Sequence, residues 1–348
     1  MNSILTPVAA LLIACLPLQL FGQADQTPEQ VVAEVVKAAE TLLETLNDDQ
    51  KQTVMFEFTD EEQRERWSNL PVGNYPRAGL RMGDLSEQQK EAVNGMIKAT
   101  MSEIGYQQVI DNVISDEVLR INSRRRTSFG KDEFFVAILG EPSTTKPWMW
   151  QFGGHHLAIN ATIVGDQVTL APSLTGGQPV DYEWEGREVR QLAEEEDAAY
   201  ELINSFSEEQ LKIAVLGDRY VDLNFGPGES SIEPANEGIK IGELDEKQQT
   251  LAKQLIQHRI DILNPVHAKV KMEQVTAELS DTYFAWYGPT EAGEAATFRI
   301  QGPSLIIEYS PQRLGGQATN HLHAMYREPA NDYGVGFIQQ RREANKNK

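Results

Sequence analysis

Residues 79–90 read GLRMGDLSEQQK, and residues 238–249 read GIKIGELDEKQQ. The two runs align without a gap at an offset of 159. Ser86 to Gln89 has the form of a capping box, so the first run opens a helix. Val93, Met96, Ile97, Met101 and Ile104 give that helix its buried face. Gly105 sits where a C′ glycine would stop it, and a second helix from Tyr106 to about Ile121 follows.

Working outward, the flanking parts recur too. Upstream, Thr27-Pro28-Glu29-Gln30 is a helix start with Pro in the first position. Val31, Val32, Val35, Val36, Ala39, Leu42, Leu43 and Leu46 mark one apolar face at helical spacing. A short segment with Val54, Met55 and Phe56 comes next. A polar, aromatic stretch from Phe58 to Asp84 then reads as a long ordered loop. In the second half, helix signals return from Val189 to Ser205, and Ser207 to Gln210 is another capping box. Downstream, Phe134 to Leu139 reads as a buried strand. A longer strand runs from about Met149 to Val164, Gly165-Asp166 turns, and Gln167 to Ala171 returns. Phe134–Gly140 lines up less cleanly with Tyr283–Gly288, at an offset of 148 that also sets Trp150 on Phe298, Gly154 on Gly302 and Leu157 on Leu305.

The expected fold is therefore α+β and internally duplicated: two similar halves, each a helical group followed by antiparallel strands, packed as one body. The halves span residues 25–188 and 189–348. A repeat of about 150 residues far exceeds a solenoid period of roughly 20 to 50.

The chain has 348 residues, 40% hydrophobic and 24% charged, enough for a sizeable core. Its net charge of −21 opposes nucleic acid and anionic membrane surfaces as partners. The only cysteine, Cys15, lies in an apolar stretch from Ile4 to Phe21. That stretch has the length of a signal-peptide core, with cleavage after Ala24, so residues 1–24 would be removed and the protein would be secreted or periplasmic. Leu12-Ile13-Ala14-Cys15 also fits a lipoprotein cleavage box, with Cys15 as the lipidated end. Cleavage after Ala24 leaves no thiol for disulfides, nucleophilic catalysis or metal ligation. No later stretch is long and apolar enough to cross a bilayer.

Four of the six histidines occur in two patches: His155 and His156 in PWMWQFGGHHLAINAT (147–162), and His321 and His323 in NHLHAMYREPANDYG (320–334). At the 148 offset His155 and His156 stand opposite Pro303 and Ser304, so the scaffold does not require them. On a continuous strand His155 shares a face with Leu157, Ile159, Ala161 and Ile163, and His156 shares the other with Ala158 and Asn160. His156 is then the better ligand, His155 the more structural residue, and Asn160 a neighbour for substrate. His321 and His323, two apart, share a face and suit one metal ion, with His156 as third ligand. Imidazole with carboxylate suits zinc, copper, iron or nickel. Asp332, Glu308 or Glu141 could supply an oxygen ligand, and Asp332 or Glu141 a base toward water. The bland alternative is a set of hydrogen-bonded surface histidines. No H-E-x-x-H, G-x-S-x-G, P-loop or G-x-G-x-x-G pattern occurs.

Trp148, Trp150, Trp184, Trp286 and Tyr287 could stack on a sugar, although at least two should belong to the core. The loop with Trp67, Asn69, Tyr75 and Arg77 could cover a cleft. Its Arg77 would pair with a substrate carboxylate or, more simply, fix its own loop.

The runs PWMWQFGGHHLAINAT, GEPS before it, NHLHAMYREPANDYG and YPRAGLRMGDLSEQQ resemble a family of secreted proteins catalogued only as a domain of unknown function, mainly bacterial and also fungal. Gly-His-His and His-x-His are its most specific marks. Met149 departs from the small residue expected between the tryptophans. The resemblance implies an extracytoplasmic protein and no particular activity.

The residues themselves point to a metal-dependent hydrolase acting on a small molecule, glycan or peptide, with a divalent transition metal on His156, His321 and His323 and with His155 assisting. The alternatives are a glycan- or peptide-binding protein using the tryptophans, and a metal storage or delivery protein.

Overall fold

A computed structural model describes residues 26–124, 127–228, 235–314 and 316–346. The expected signal segment and Cys15 lie outside the described residues. The first part of the chain runs α1 (Pro28–Thr45), α2 (Asp48–Val54), β1 (Met55–Phe56), α3 (Glu61–Arg64), β2 (Leu80–Arg81), α4 (Glu87–Thr100), α5 (Glu103–Asn122), β3 (Phe135–Leu139), β4 (Trp148–Gly154), β5 (Leu157–Val164), β6 (Gln167–Thr169), β7 (Ser173–Gly177), β8 (Asp181–Trp184) and β9 (Arg187–Arg190). The second runs α6 (Ala193–Asn204), α7 (Glu208–Ala214), β10 (Val215–Gly217), β11 (Ile239–Lys240), α8 (Glu246–Ile260), α9 (Pro265–Glu278), β12 (Tyr283–Tyr287), β13 (Thr297–Gln301), β14 (Ile306–Pro311), β15 (Leu322–Arg327) and α10 (Val335–Lys346).

The capping boxes form as the sequence implies. Thr27, Ser86 and Ser207 each accept from the backbone N–H three residues on, and the glutamine there returns the bond. The α1 face from Val31 to Leu42 is buried as its spacing requires. In both Gly-led runs the glycine has positive φ, +95° at Gly79 and +85° at Gly238. A Cβ there would lie 2.2 Å from Val136 O or 2.1 Å from Phe284 O. Both positions thus need glycine twice over, for conformation and for space.

Among the described residues thirteen strands form one mixed sheet, whose main path is β1-β3-β4-β5-β7-β15-β14-β13-β12-β10. Pairings recur from either end. Ile138 faces Trp150 and Trp286 faces Phe298; Val136 faces Phe152 and Phe284 faces Ile300. The sheet passes from the first part to the second where β7 pairs with β15. Side chains alternate between two covered faces. Val136, Ile138, Trp150, Phe152, Ile159, Ala324 and Tyr326 join the main core with the helices. Ala137, Leu139, Met149, Ala158, Leu174 and Met325 pack under Trp67 and Tyr333.

Several expectations need correction. The fold is mixed α+β, but not purely antiparallel in its strands: β1 pairs β3, and β10 pairs β12, in parallel. The strand expected from Met149 to Val164 is two strands, because Gly154 pairs Leu157 across a tip made of His155 and His156. Gly105 does not end a helix. It lies inside the first turn of α5, where its N–H donates to the cap Ser102 at 2.9 Å. A Cβ there would meet Ile262 O at 2.3 Å, so close backbone approach, not helix termination, selects glycine.

Candidate metal centre

Three chain segments converge at one end of the central strands. The β4–β5 hairpin turns through His155 and His156, β7 ends at Gly177, and β15 begins just after His321. The loop from Trp67 to Arg77 reaches over this end. His156 has φ +59°, a left-handed conformation that costs a non-glycine residue energy. Two bonds hold it there: its N–H donates to Asn69 O at 3.2 Å, and its carbonyl accepts from Asn112 Nδ2 at 2.8 Å.

His156, His321 and His323 are 3%, 6% and 5% exposed. Each offers a ligand atom, and these atoms all lie within 4.8 Å of one another. Nε2 of His156 is 2.9 Å from Nε2 of His321. Nitrogens around a tetrahedral zinc stand about 3.3 Å apart, so the spacing is close to that of a shared ion. His321 Nδ1 donates to Leu314 O at 2.6 Å, which leaves its Nε2 as an acceptor facing His156 Nε2. The Asn69 side-chain amide is 3.3 Å from His323 Nδ1, while His323 Nε2 is buried with no hydrogen-bond partner among the described residues. A buried orphan nitrogen is costly unless something binds it.

Burial pushes the pKa of His156 and His323 well below the ordinary imidazole range, and neighbouring imidazoles add to the effect. Burial also lowers His321, against the pull of the Leu314 carbonyl. Neutral imidazole is the ligand form, so at neutral pH the cluster is ready for a cation. A donor set of three neutral nitrogens suits zinc, copper, nickel or iron and leaves a coordination position open.

His155 is not one of the converging ligands. Its Nδ1 is 2.7 Å from Asp116 Oδ1, and its ring lies against that of His156, tilted by 32°, at a centroid spacing of 3.5 Å. The other Asp116 oxygen accepts from Gly130 N at 2.6 Å. Asp116 and Asn112 were not singled out in the sequence. The signal was there: Val109, Asn112 and Asp116 share the sheet-facing side of α5, so two polar residues stand where core residues belong.

The expected oxygen donors are elsewhere. Asp332 is bound by Arg327, with Nε donating at 2.8 Å. Arg327 is four residues along β15 from His323, or about 13 Å. Glu141 is exposed and follows the far end of β3, about 20 Å from the tip by strand rise. Glu308 accepts from Arg299 Nε and Phe225 N, each at 2.8 Å. The residues expected at substrate make these contacts within the fold. Arg77 donates to the carbonyls of Ser68, Leu70 and Gly154, each at 2.7 Å, and so fastens the loop to the hairpin. Burial brings its pKa down to about 10, with Asp116 opposing. Trp148, Trp150 and Trp286 are at most 1% exposed and form no platform. Asn160 lies in a buried amide chain, accepting from Gln151 Nε2 at 2.9 Å and donating to Pro172 O at 2.8 Å.

A family model described as "Protein of unknown function (DUF3500)" matches residues 28–335. The chain belongs to this family. The match takes in the histidine tip, the β15 histidines and the loop above them. No curated protein and no solved structure matches. Among the described residues no helix is long and apolar enough to cross a membrane.

Proposed function

We propose that this protein is an extracytoplasmic transition-metal protein that uses the open position of a three-histidine site for hydrolysis. The observation that carries the metal reading is the meeting of His156, His321 and His323, with a nitrogen on His323 that has no partner among the described residues. An ion held there would lower the pKa of a water and polarise a substrate carbonyl or phosphoryl oxygen. The chain's own part is to hold three neutral imidazoles in place, through Leu314 on His321 and Asn69 on His323. No carboxylate belongs to the ligand cluster among the described residues. The export step follows from the apolar N-terminal segment alone.

The test is elemental quantification of protein purified without an affinity tag, beside His323→Ala, followed by a panel of ester, phosphoester and peptide substrates with and without chelator. About one metal per chain in the wild type, lost in the variant, supports the metal site. Metal-dependent turnover supports the hydrolase. Loading without turnover leaves the second reading, metal retention or delivery, which the near-complete burial of all three imidazoles favours.

We also propose that residues 25–188 and 189–348 descend from one duplicated unit. The 148-residue offset shared by the strand pairings supports this, as do the paired positive-φ glycines.

A further inference from the structure

The β13–β14 hairpin turns through Pro303 and Ser304, as β4–β5 turns through the histidines, with Gly302 N donating to Leu305 O at 2.9 Å. A helix side chain holds each tip by the same backbone atom. Asn112 Nδ2 donates to His156 O at 2.8 Å, and Lys271 Nζ donates to Ser304 O at 3.0 Å. The second tip lies at the other end of β15, since Ile306 pairs Arg327 while Pro311 pairs Leu322. It borders a cleft of about 530 Å³ between α9, the β5–β6 turn and α10.

Two side chains lining this cleft are more than nine-tenths buried and carry polar atoms without partners among the described residues: His267 Nδ1 and Ser304 Oγ. His267 Nε2 is 3.0 Å from Asp166 O, so Nε2 carries the proton and Nδ1 is a bare acceptor. It asks for a donor, whereas the Ser304 hydroxyl can give or take. Lys271 Nζ lies 3.4 Å from Glu328 Oε2, and the two are nearly buried, so its charge is already matched. The remaining charged groups of the lining, Asp166, Glu278 and Glu343, are acidic and would repel an anion. Phe337 adds a ring at the wall.

The geometry points to a second ligand site here, for a neutral polyhydroxylated compound of mono- or disaccharide size. Each sugar hydroxyl both donates and accepts, which matches a bare imidazole nitrogen and a serine hydroxyl in one lining. The matched Lys271–Glu328 pair leaves no net positive charge to hold a carboxylate or phosphate. The site is independent of the metal centre at the opposite end of the strand.

Saturation-transfer NMR and calorimetry would test this on the full chain with glucose, N-acetylglucosamine, cellobiose and, as an anionic control, glucuronate. At least one neutral sugar should bind, and glucuronate should bind more weakly. Ser304→Ala and His267→Ala should each weaken the neutral sugar about fivefold, the worth of one hydrogen bond. Ser304→Ala keeps the backbone carbonyl that Lys271 uses, so it should retain the wild-type melting temperature and remain informative if His267→Ala does not fold. His323→Ala, or chelator, should leave sugar binding unchanged. The proposal is overturned if no neutral sugar binds, if glucuronate binds as tightly as glucose, or if folded Ser304→Ala binds as the wild type does.

Discussion

Removing the His323 imidazole separates the cost of an empty cluster from the gain of a filled one. In the metal-free protein His323 Nε2 is buried without a partner among the described residues, a penalty of about 1–3 kcal/mol. His323→Ala removes that penalty but leaves a cavity of opposite effect, so the metal-free melting temperature should move little. Metal addition should behave differently. An ion that binds only the folded chain at about 100 times its dissociation constant stabilises by about 2.7 kcal/mol. At about 2.1 cal/mol/K per residue, a chain of 348 residues unfolds with roughly 0.7 kcal/mol/K. The wild type should therefore gain about 4 °C on loading with zinc, and His323→Ala should gain almost nothing. Differential scanning calorimetry with zinc, copper and nickel reads this directly. The reasoning is refuted if no metal raises the wild-type melting temperature, or if His323→Ala responds as fully as the wild type.

Asp116→Asn should destabilise by about 1.5–3 kcal/mol, since a charge-assisted bond to buried His155 is lost, and chemical denaturation would read it. Arg77→Ala should free three carbonyls at once and speed amide hydrogen exchange from Ser68 to Leu70, while leaving the main core protected. Gly238→Ala should sharply lower the yield of folded protein, because a left-handed residue then also meets Phe284 O, which expression and circular dichroism would show. Acidification should weaken the metal-free protein: His156, His321, His323 and His267 all have folded pKa values lowered mainly by burial, so the unfolded chain takes protons first. Stability should be full above the unfolded value of about 6.5 and fall below it, by up to about 1.4 kcal/mol per pH unit for each histidine; a stability flat from pH 7 to pH 5 would contradict the burial argument.

What could be read from the residues was mostly local. Capping boxes, the α1 stripe and the β3 strand depend on near neighbours, and they fold as their patterns imply. The grouping of His156 with His321 and His323 was also legible, because few side-chain types bind metals and four of six histidines lay in two patches. The misreadings share a cause. Alternation was carried through Gly153-Gly154-His155-His156 as though the strand continued, yet a tight tip breaks the period and leaves His155 facing Asp116 on α5. Asp332 seemed close to His323 in sequence, but a strand rises about 3.3 Å per residue, and that carries it away from the site. Trp148 looked like a ligand platform because a tryptophan's burial depends on the sheet face it joins, which its neighbours alone do not give.

The two hairpin tips suggest why chemistry could diverge at these points. A tip residue held by its backbone carbonyl fixes the hairpin whatever its side chain. Asn112 serves His156 in this way, and Lys271 serves Ser304. Side-chain identity at the tip is then decoupled from strand pairing, whereas one residue further in it is not: Leu157 and Leu305 are both buried in the core. Under duplication, such positions are where one copy can gain imidazoles and the other a hydroxyl without loss of the sheet. Exchanging the tips tests the decoupling. His156→Ser should abolish metal binding while keeping the fold, because the Asn112 bond to the residue-156 carbonyl survives. If His156→Ser instead unfolds the protein as severely as a charge at Leu157 does, the histidine is part of the scaffold and the decoupling is wrong.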